Sequence, residues 1–439
     1  MLKTIFAFAT PDGRSALAVL RMSGSGCRAI GERLMGSLPA PRIATLRKIF
    51  DPRDGELIDE ALVLWFPGPR SVTGEDCLEL HVHGSRAVRK ALTDVLGSFE
   101  NCRLAEPGEF TRRAFLNGKT DLTRLEGLSD LLEAHTQKQR RQALAQFGGA
   151  LRDQADTWRQ QMLTMMALLE ATIDFSDEDD VPDDVLDEVG LLLGNLMKGL
   201  EAQLAASRYS EIVRDGFRVV IAGPPNAGKS SLLNAISQRE VAIVSEFAGT
   251  TRDVLEVSLD IDGMLIRLFD TAGLRATEDP VERMGIARAR DKAASGHLVL
   301  WLQPVDAAEQ LAVPDFGPVE VVAVGTKYDL VESLPSLSDL MVSAKTGQGI
   351  KRLLELIAER ASDKPPDVAD GFLTNTRQFA CVQQCLVALE RASTVLQSRV
   401  VEAVCEELRV ADLELSRLTG RIETEEVLGT IFSRFCIGK

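Results

Sequence analysis

The sequence predicts a multidomain α/β protein: an α+β N-terminal domain, a discontinuous α-helical bundle, and an α/β domain inserted into that bundle. Three patterns support this organisation. Residues 1–118 alternate apolar and polar positions between turns rich in Gly and Pro. Leucines recur at helical spacing after residue 121 and again after residue 366. Between these stretches, residues 217–236 pass from a β-branched run through a glycine-rich loop into a helical pattern.

The N-terminal domain, residues 1–118, is expected to mix strands with helices. Its short apolar runs have the two-residue period of half-buried strands, and two longer stretches have helical spacing. The strands are expected at residues 17–20, 61–66 and 77–82, and the helices at residues 28–35 and 87–96.

The helical domain is predicted in two halves, residues 119–212 and 363–439, which flank the inserted domain at residues 213–362. Residues 174–188 hold nine acidic residues and no basic one, which indicates a solvated connection. A helical region that a folded domain interrupts predicts that both halves share one bundle and that the ends of the insertion lie close together.

Apolar stripes along these helices indicate bundle core rather than a cofactor site. Helical spacing is expected at residues 144–171 and again at residues 185–204. After a linker at residues 364–366, which contains two prolines, helical spacing resumes at Leu386, Leu389, Leu415, Leu418 and Ile422.

The charge balance limits the function classes. The 439 residues include 50 basic and 65 acidic side chains, a net charge of −15, which argues against a protein that coats nucleic acid by bulk charge. Basic clusters at residues 112–113 and 138–141 stay open: each is either a local nucleic-acid patch or, more simply, a solvated helix face.

Cysteine and histidine usage gives little sign of a metal centre. Seven cysteines are scattered without a C-x-x-C pair, which argues against structural zinc and a disulfide framework and favours a reducing cytoplasm. His81 and His83 alternate on a predicted strand, but the chain has four histidines and no third ligand nearby, so packing or surface roles are favoured. No apolar run approaches the roughly 20 residues of a membrane span, and residues 1–10 are too mixed for a signal peptide.

The glycine-rich loop at residues 223–230 reads GPPNAGKS and fits the phosphate-binding pattern G-x-x-x-x-G-K-[ST]. Its backbone N–H groups and the following helix N-terminus suit phosphate oxygens. Lys229 is expected to reach the β- and γ-phosphates, and Ser230 to hold Mg²⁺. The alternative is a glycine-rich surface turn, but the order of strand, loop and helix favours the nucleotide site.

Two later segments add groups for the metal and the γ-phosphate. Residues 249–253 (GTTRD) supply Thr251, which could complete the Mg²⁺ shell. Residues 270–273 (DTAG) follow an apolar run, so Asp270 stands at a strand end where it can bind Mg²⁺ through water. The Gly273 N–H can then sense the γ-phosphate.

Two further segments indicate a guanine base. The carboxylate of Asp329 can accept from both the ring N–H and the exocyclic amine of guanine, which selects GTP over ATP. Residues 343–345 (SAK) suit a loop that touches the guanine oxygen. Thr326 stands where GTPases usually carry Asn, so guanine specificity should survive while affinity is expected to be lower. Five such segments in order predict a Ras-like P-loop GTPase domain.

Other motifs, spread over the whole length, carry a family resemblance. They lie at residues 73–76, 78–80, 106–111, 113–117, 281–286 and 436–439. With the GTPase segments, they resemble the MnmE family, also called TrmE, of tRNA-modification GTPases. The resemblance implies a folate-binding N-terminal domain that also forms a homodimer and is similar to the tetrahydrofolate domain of aminomethyltransferases.

The resemblance also implies a reaction and its partners. With a flavin-dependent partner, MnmG, which carries the FAD and joins in a heterotetramer, family members modify carbon 5 of the wobble uridine in certain tRNAs. The added group is carboxymethylaminomethyl or aminomethyl, and its one-carbon unit comes from 5-formyl- or 5,10-methylene-tetrahydrofolate. The family's folate contacts fall on Arg21, Glu79, Lys119 and Lys439, which from the residues alone would be surface ions.

For hydrolysis, the resemblance implies a K⁺ ion in place of an arginine finger. Its ligands would be Asn226, Ser245, Phe247 and Thr250. Leu274 stands where Ras-like proteins place a water-orienting glutamine, and Glu282 is the family's candidate for that role. From the residues alone, Asn226 could be a tolerated loop residue and Glu282 a solvated charge.

The complete set of residues expected around the nucleotide combines these inferences. It comprises Asn226, Ala227, Gly228, Lys229, Ser230, Ser231, Ser245, Glu246, Phe247, Ala248, Gly249, Thr250, Thr251, Asp270, Thr271, Ala272, Gly273, Thr326, Lys327, Asp329, Ser343, Ala344 and Lys345.

The resemblance places Cys436 at the folate site as a catalytic candidate, and a nearby cation there would favour its thiolate. The alternative is a small apolar filler.

Two other functions stay open for the whole chain: a switch GTPase in ribosome assembly or signalling, and a folate-dependent one-carbon transferase with a regulatory GTPase. The N-terminal folate motif and the terminal C-x-G-K favour the tRNA-modification reading over a plain switch.

Overall fold

The computed structural model describes residues 3–174, 184–239, 241–243, 256–270, 296–306, 312–330, 340–362, 372–422, 425–433, 435 and 438. The chain divides into two compact units. The first comprises Met1–Ser129 and Leu415–Lys439, and the second Asp130–Glu414. The multidomain α/β fold class predicted from the sequence is confirmed.

Strands and helices are numbered in chain order. The strands are β1 (Thr4–Phe8), β2 (Ser15–Ser23), β3 (Thr45–Phe50), β4 (Leu57–Phe66), β5 (Cys77–Gly84), β6 (Cys102–Leu104), β7 (Phe217–Ala222), β8 (Glu256–Ile261), β9 (Met264–Asp270), β10 (Leu298–Pro304), β11 (Glu320–Thr326) and β12 (Leu340–Met341). The helices are α1 (Cys27–Met35), α2 (Arg86–Gly97), α3 (Glu109–Leu116), α4 (Leu122–Glu133), α5 (Gln137–Gly148), α6 (Ala150–Asp174), α7 (Asp184–Asp215), α8 (Lys229–Ser237), α9 (Ile350–Ala361), α10 (Thr376–Leu396), α11 (Val401–Thr419) and α12 (Glu425–Ser433).

The first unit is built on a six-stranded sheet in the order β3-β4-β5-β2-β1-β6. Strand β6 runs parallel to β1 and the other pairs are antiparallel. Alternate residues such as Leu20, Val63 and Leu80 are fully buried in one apolar cluster with residues of α1 and α2. The strands and helices predicted in residues 1–118 are therefore present, each slightly longer than expected.

Among the residues that the structure describes, a helix covers the opposite face of this sheet at one end, beside β1. Ile5 and Ala7 of β1 pack there against Phe110 of α3. Further along, Leu46 and Leu62 lie opposite each other across β3 and β4, and both are exposed. This face of the sheet therefore has exposed apolar side chains on β3 and β4, while β1 is covered by α3.

The second unit holds a sheet in the order β12-β11-β10-β7-β9-β8, in which all pairs are parallel except β8 with β9. Its central strands are buried apolar runs, as expected for a parallel sheet with both faces covered. After β7 the chain forms β8 and β9 on one side of it and later β10 on the other. The carboxyl end of β7 is therefore a topological switch point, where ligands bind in open α/β sheets.

Helices that precede the strands of this sheet in the sequence pack against a helix that follows them. Helix α7 precedes β7, and α10 follows α9, yet α10 packs along α7, as α6 does. Val189, Leu193 and Leu196 on α7 are buried, as the predicted stripe requires. This contact is what a bundle interrupted by an inserted domain should show.

Two helix predictions were wrong in detail. The stretch at residues 144–171 is two helices, because Gly149 adopts a left-handed conformation with φ 106° and ends α5. Ile422 was expected to continue a helical stripe, but α11 ends at Thr419 before Gly420, whose φ is 81°, and Ile422 is exposed.

Other predicted features have a place in the described part of the chain. Six cysteines there are buried and carry free thiols. His83 Nδ1 lies 2.7 Å from an oxygen of Asp59, and His81 Nε2 lies 3.6 Å from Glu79. In these residues the structure contains no helix that is long and apolar enough to cross a membrane.

His297, just before β10, is half-buried and held by the neighbouring strand. Its Nδ1 accepts a hydrogen bond of 2.9 Å from the Arg218 backbone N–H, and its ring stacks on Phe217. Burial, with the charges of Arg218 and Arg208, lowers the pKa of His297 from 6.5 to about 4.

This lowered pKa predicts a pH-dependent stability. The unfolded chain takes up the proton near pH 6.5, so the His297 contribution is complete above that pH and is lost as the pH falls toward about 4. His297→Phe should flatten the dependence of the free energy of unfolding on pH between about 4 and 6.5, measured by urea denaturation. The exposed His135→Gln variant is the control, and an unchanged slope in His297→Phe would contradict the assignment.

Candidate functional site

The glycine-rich loop leaves the carboxyl end of β7 and enters α8 at Lys229, so the predicted order of strand, loop and helix is present. Three loop residues have positive φ: Gly223 at 154°, Asn226 at 63° and Gly228 at 87°. These turns bring the loop back over the first turn of α8, whose free N–H groups and dipole favour an anion.

Lys229 is turned onto its own loop. Its ammonium donates to the carbonyl oxygens of Gly223 and Pro224, both at 2.8 Å. Burial lowers the pKa of Lys229, and the negative charge of Asp270 opposes that shift. To bind a phosphate, the Lys229 ammonium must replace its hydrogen bonds to these two carbonyls with hydrogen bonds to phosphate oxygens.

Ser230 and Asp270 come together beside the loop. The exposed Ser230 hydroxyl donates to Asp270 Oδ2 at 2.9 Å, and Asp270 is buried at the end of β9. A hydroxyl next to a carboxylate is an oxygen-only donor set of the kind that Mg²⁺ prefers. The described residues of this site therefore fit the ion that the fold implies, with Ser230 as a direct ligand and Asp270 behind it.

Thr326, at the end of β11, is tied to the phosphate loop. Its buried hydroxyl donates to the carbonyl of Ala227 at 2.7 Å, although the two residues are far apart in sequence. The shorter side chain therefore makes a direct link between the base-side strand and the phosphate loop. This link was missed by sequence reasoning, which treated Thr326 only as a replacement for Asn.

Asp329 and Ser343 lie together at the expected base position. The Ser343 hydroxyl donates to Asp329 Oδ1 at 2.7 Å and lowers the pKa of Asp329 below its usual range. The exposed carboxylate is therefore held ionised as a double acceptor. Lys327, with φ 61°, pairs with Asp306 at 2.9 Å.

The remaining predicted site residues form two groups, those that the structure describes and those that lie outside its described part. Ser231 is exposed on α8, and Ala344 and Lys345 lie in the turn after Ser343. Several predicted residues lie outside the described part of the chain: Ser245, Glu246, Phe247, Ala248, Gly249, Thr250, Thr251, Thr271, Ala272, Gly273, Glu282, Cys436 and Lys439.

The first unit brings two of the predicted folate residues together. Arg21 on β2 is directly opposite Glu79 on β5, and Arg21 Nε donates to Glu79 Oε1 at 2.9 Å. Both side chains are mostly buried, with 25% and 17% exposure, on the sheet face opposite the main core. A paired cation and anion in such a position are suited to a ligand that has both donors and acceptors.

The other described folate candidate, Lys119, is exposed beside the loop that carries the first motif. The Cα of Gly74, with φ 81°, faces the side chains of Lys119 and Asn117 so closely that a Cβ there would lie 3.0 Å from Asn117 Cβ. The Asn117 amide donates to the Thr73 carbonyl at 2.7 Å. Residues of two separate sequence motifs thus build one surface.

Arg113 ties these motifs together, so both sequence interpretations of residues 112–113, a local nucleic-acid patch and a solvated helix face, were wrong for this arginine. Only 4% of its side chain is exposed, and it pairs at 3.0 Å with both Glu75 and Glu109. It also donates to the backbone carbonyl of Lys3 at 2.8 Å. Burial favours the neutral acid, but hydrogen bonds led by that of Arg103 hold the pKa of Glu109 below its usual range.

Near the C-terminus, Gly438 lies against the end of β1. A Cβ at this glycine, whose φ is 100°, would lie 2.4 Å from the Phe8 carbonyl oxygen. The close approach requires glycine and places this residue on the first unit, which also holds the described folate candidates Arg21, Glu79 and Lys119.

The fold of the second unit, a mainly parallel sheet with a phosphate loop at its switch point, is that of a P-loop GTPase. Family models match both parts of the chain, the MnmE helical domain over residues 122–436 and the GTP-binding protein TrmE N-terminus over residues 4–119. The chain belongs to the MnmE family, as its motifs predicted.

Curated relatives match along the whole chain. A tRNA modification GTPase MnmE from Beijerinckia indica is 51% identical over 438 residues, which cover 100% of this chain and 96% of the relative. Proteins of the same name from Rhodopseudomonas palustris and Bradyrhizobium sp. strain BTAi1 are 48% and 47% identical, each covering 100% of this chain and 99% of the relative.

Removal of the Thr326 hydroxyl should weaken nucleotide binding. Thr326→Val keeps the shape of the side chain but leaves the Ala227 carbonyl without its donor, which costs about 1–3 kcal/mol. Affinity for GDP, measured by calorimetry, should fall about tenfold. Thr164→Val removes an exposed hydroxyl that bonds within α6 and should leave affinity unchanged. Equal GDP affinity in wild type and Thr326→Val would show that the link does not shape the site.

Asp329→Asn should change the base preference. The substitution converts a double acceptor into a group with one acceptor and one donor, which matches the edge of xanthine instead of guanine. Binding of GDP should fall and binding of xanthosine diphosphate should rise, as measured with a fluorescent competitor. Asp262→Asn, in the β8–β9 turn, is the control. Full discrimination against the xanthine nucleotide in Asp329→Asn would place the base elsewhere.

Proposed function

We propose that this chain is a GTPase of tRNA modification, which acts on carbon 5 of the wobble uridine in certain tRNAs. The observation that carries the proposal is the presence of two separate sites in one chain: a phosphate loop in the second unit and the Arg21–Glu79 pair in the first. Its relatives are named for tRNA modification along the full length of the chain. A switch GTPase alone does not account for the polar site in the first unit.

Within the nucleotide site, each side chain has a chemical role. Lys229 binds the β- and γ-phosphates, and Asp329 selects guanine, supported by the hydroxyl of Ser343. Ser230 and Thr251 hold Mg²⁺, which neutralises charge on the phosphates when it is bound. Phosphoryl transfer depends mainly on such positioning and charge compensation.

Asn226 is the proposed side-chain ligand for K⁺. It is exposed at the tip of the loop, and its side-chain oxygen suits a hard cation. Ser245, Phe247 and Thr250 would supply the other oxygens, and Glu282 would orient the attacking water.

A tetrahydrofolate derivative is proposed for the first unit. Arg21 and Glu79 offer donor and acceptor edges to a pterin ring, while Lys119 and Lys439 attract the anionic tail. Gly438 lies on the same unit, in the motif that also contains Cys436. Cys436 is proposed as a catalytic thiol of this site.

The open sheet face supports a homodimer through the N-terminal domain. Leu17, Leu46 and Leu62 are exposed on this face, and Leu62 lies opposite His81, two residues along from the Glu79 position. Contiguous exposed apolar side chains mark interaction surfaces. The flavin-dependent partner MnmG and tRNA complete the proposed assembly. The proposed domain limits within this chain are residues 1–118, 119–212, 213–362 and 363–439.

Potassium should accelerate GTP hydrolysis strongly. An arginine finger contributes about 10³ to 10⁵ in rate, and an ion in that position should matter comparably. Steady-state turnover should be much faster in KCl than in NaCl at matched ionic strength. Asn226→Gly, which accepts the positive φ of this position, should abolish the difference. Equal turnover of the wild type in both salts would overturn the K⁺ proposal.

The tRNA function is tested by mass spectrometry of wobble nucleosides. A strain without the gene should lack the modified uridine, and the wild-type gene should restore it. Cys436→Ser should fail to restore it while the purified variant keeps its GTPase rate. The buried Cys405→Ser variant is the matched control. Unchanged wobble nucleosides in the deletion strain would favour a switch GTPase, and normal modification by Cys436→Ser would make that cysteine a packing residue.

A further inference from the structure

A cavity of about 270 Å³ in the second unit lies between α5, α7 and the segment that leads into α10. It is separate from the phosphate loop and from the base loops, whose residues do not line it. Its walls are formed by Lys138, Arg141, Gln142, Ala145, Gln146, Tyr209, Ser210, Val213, Phe372 and Thr374.

The described lining of this cavity carries positive charge. Lys138 and Arg141 contribute cations, and no Asp or Glu is among the lining residues that the structure describes. Within the described ranges neither side chain has an ion-pair or hydrogen-bond partner, whereas Arg140 between them bonds to Gln137. Lys138 and Arg141 of the basic cluster at residues 138–141 thus line the cavity and Arg140 does not, although both arginines are exposed.

A buried amide group supplies a second, independent feature. Gln146 is 3% exposed, and its Oε1 accepts a hydrogen bond of 2.8 Å from the Thr374 hydroxyl. Its Nε2 is buried and has no hydrogen-bond partner among the residues that the structure describes. Buried amide donors are nearly always satisfied, so this group is in need of an acceptor.

The rest of the described lining combines the polar side chains of Gln142, Ser210 and Thr374 with apolar and flat surfaces. Ala145 and Val213 contribute aliphatic groups, and Tyr209 and Phe372 contribute rings. Small-molecule sites combine such apolar walls with a few polar groups and begin at volumes of roughly 300 Å³. At about 270 Å³ the cavity lies just below that range, which excludes large ligands.

We infer that this cavity binds a small organic anion, with a carboxylate or phosphate group toward Lys138 and Arg141 and a flat apolar body between the rings. This goes beyond the proposed GTPase and tRNA functions, which assign nothing to these residues. The Lys138 backbone N–H also donates to the Gly263 carbonyl in the turn between β8 and β9, at 3.3 Å. A ligand in this cavity would therefore contact α5, the helix that also bonds to the β8–β9 turn of the second unit's sheet.

Tyrosine labelling gives a local test in the full-length chain. The protein has two tyrosines, Tyr209 at the cavity and Tyr328 at the base loop. With 3-fluorotyrosine incorporated and GDP and Mg²⁺ present, ¹⁹F NMR resolves the two, and Tyr328→Phe assigns them. Benzoate, phenyl phosphate, inorganic phosphate and neutral benzyl alcohol serve as probes. Benzoate or phenyl phosphate should shift the Tyr209 signal saturably, and the stronger of the two identifies the preferred anion.

Matched charge variants complete the test. Arg141→Gln should weaken binding of the preferred probe about tenfold, whereas Arg140→Gln should change it less than about twofold. The inference is overturned if neither organic anion shifts the Tyr209 signal at about 10 mM, or if benzyl alcohol or inorganic phosphate binds as tightly as they do. Equal effects of the two arginine variants would also overturn it.

Discussion

Backbone crowding at the carboxyl end of β7 governs the nucleotide site. Gly223 has φ 154°, and a Cβ there would lie 2.4 Å from the carbonyl oxygen of Leu302 on β10, closer than real side chains approach a backbone. Strands β7 and β10 are paired up to Ala222 and Trp301, so the chain must cross the end of β10 as it leaves the sheet. Only glycine allows this crossing, and the loop can then return to begin α8.

A second constraint joins the phosphate and base sides of the same site. Strand β11 is separated from β7 by β10 in the sheet, yet the Thr326 hydroxyl reaches the carbonyl of Ala227. Together with the Ser343–Asp329 hydrogen bond, it connects the base loops to the phosphate loop in a chain of direct contacts. The loops expected to hold the nucleotide are therefore fixed relative to one another by close backbone approach and two hydroxyl donors.

Local patterns predicted the strands and helices well, because apolar periodicity and glycine position report on the nearest neighbours in the fold. The strand, loop and helix around Lys229 were visible for this reason. The Arg113 network was not, because its partners include Lys3 and Glu75, and no spacing in the sequence encodes such distant pairing. The break at Gly149 was missed although Gly148 and Gly149 form a pair that marks turns, because the apolar helical spacing on both sides of the pair was given more weight.

The claim that the phosphate loop depends on the crossing at Gly223 is tested most directly by GDP affinity in two glycine variants. Gly223→Ala adds a Cβ against the Leu302 carbonyl, whereas Gly317→Ala adds one at another positive φ, 77°, with no atom within 4 Å. Calorimetry should show that Gly223→Ala loses Mg²⁺-dependent GDP binding, while Gly317→Ala binds as the wild type does, with circular dichroism showing both variants to be folded. Wild-type affinity in Gly223→Ala would contradict the claim.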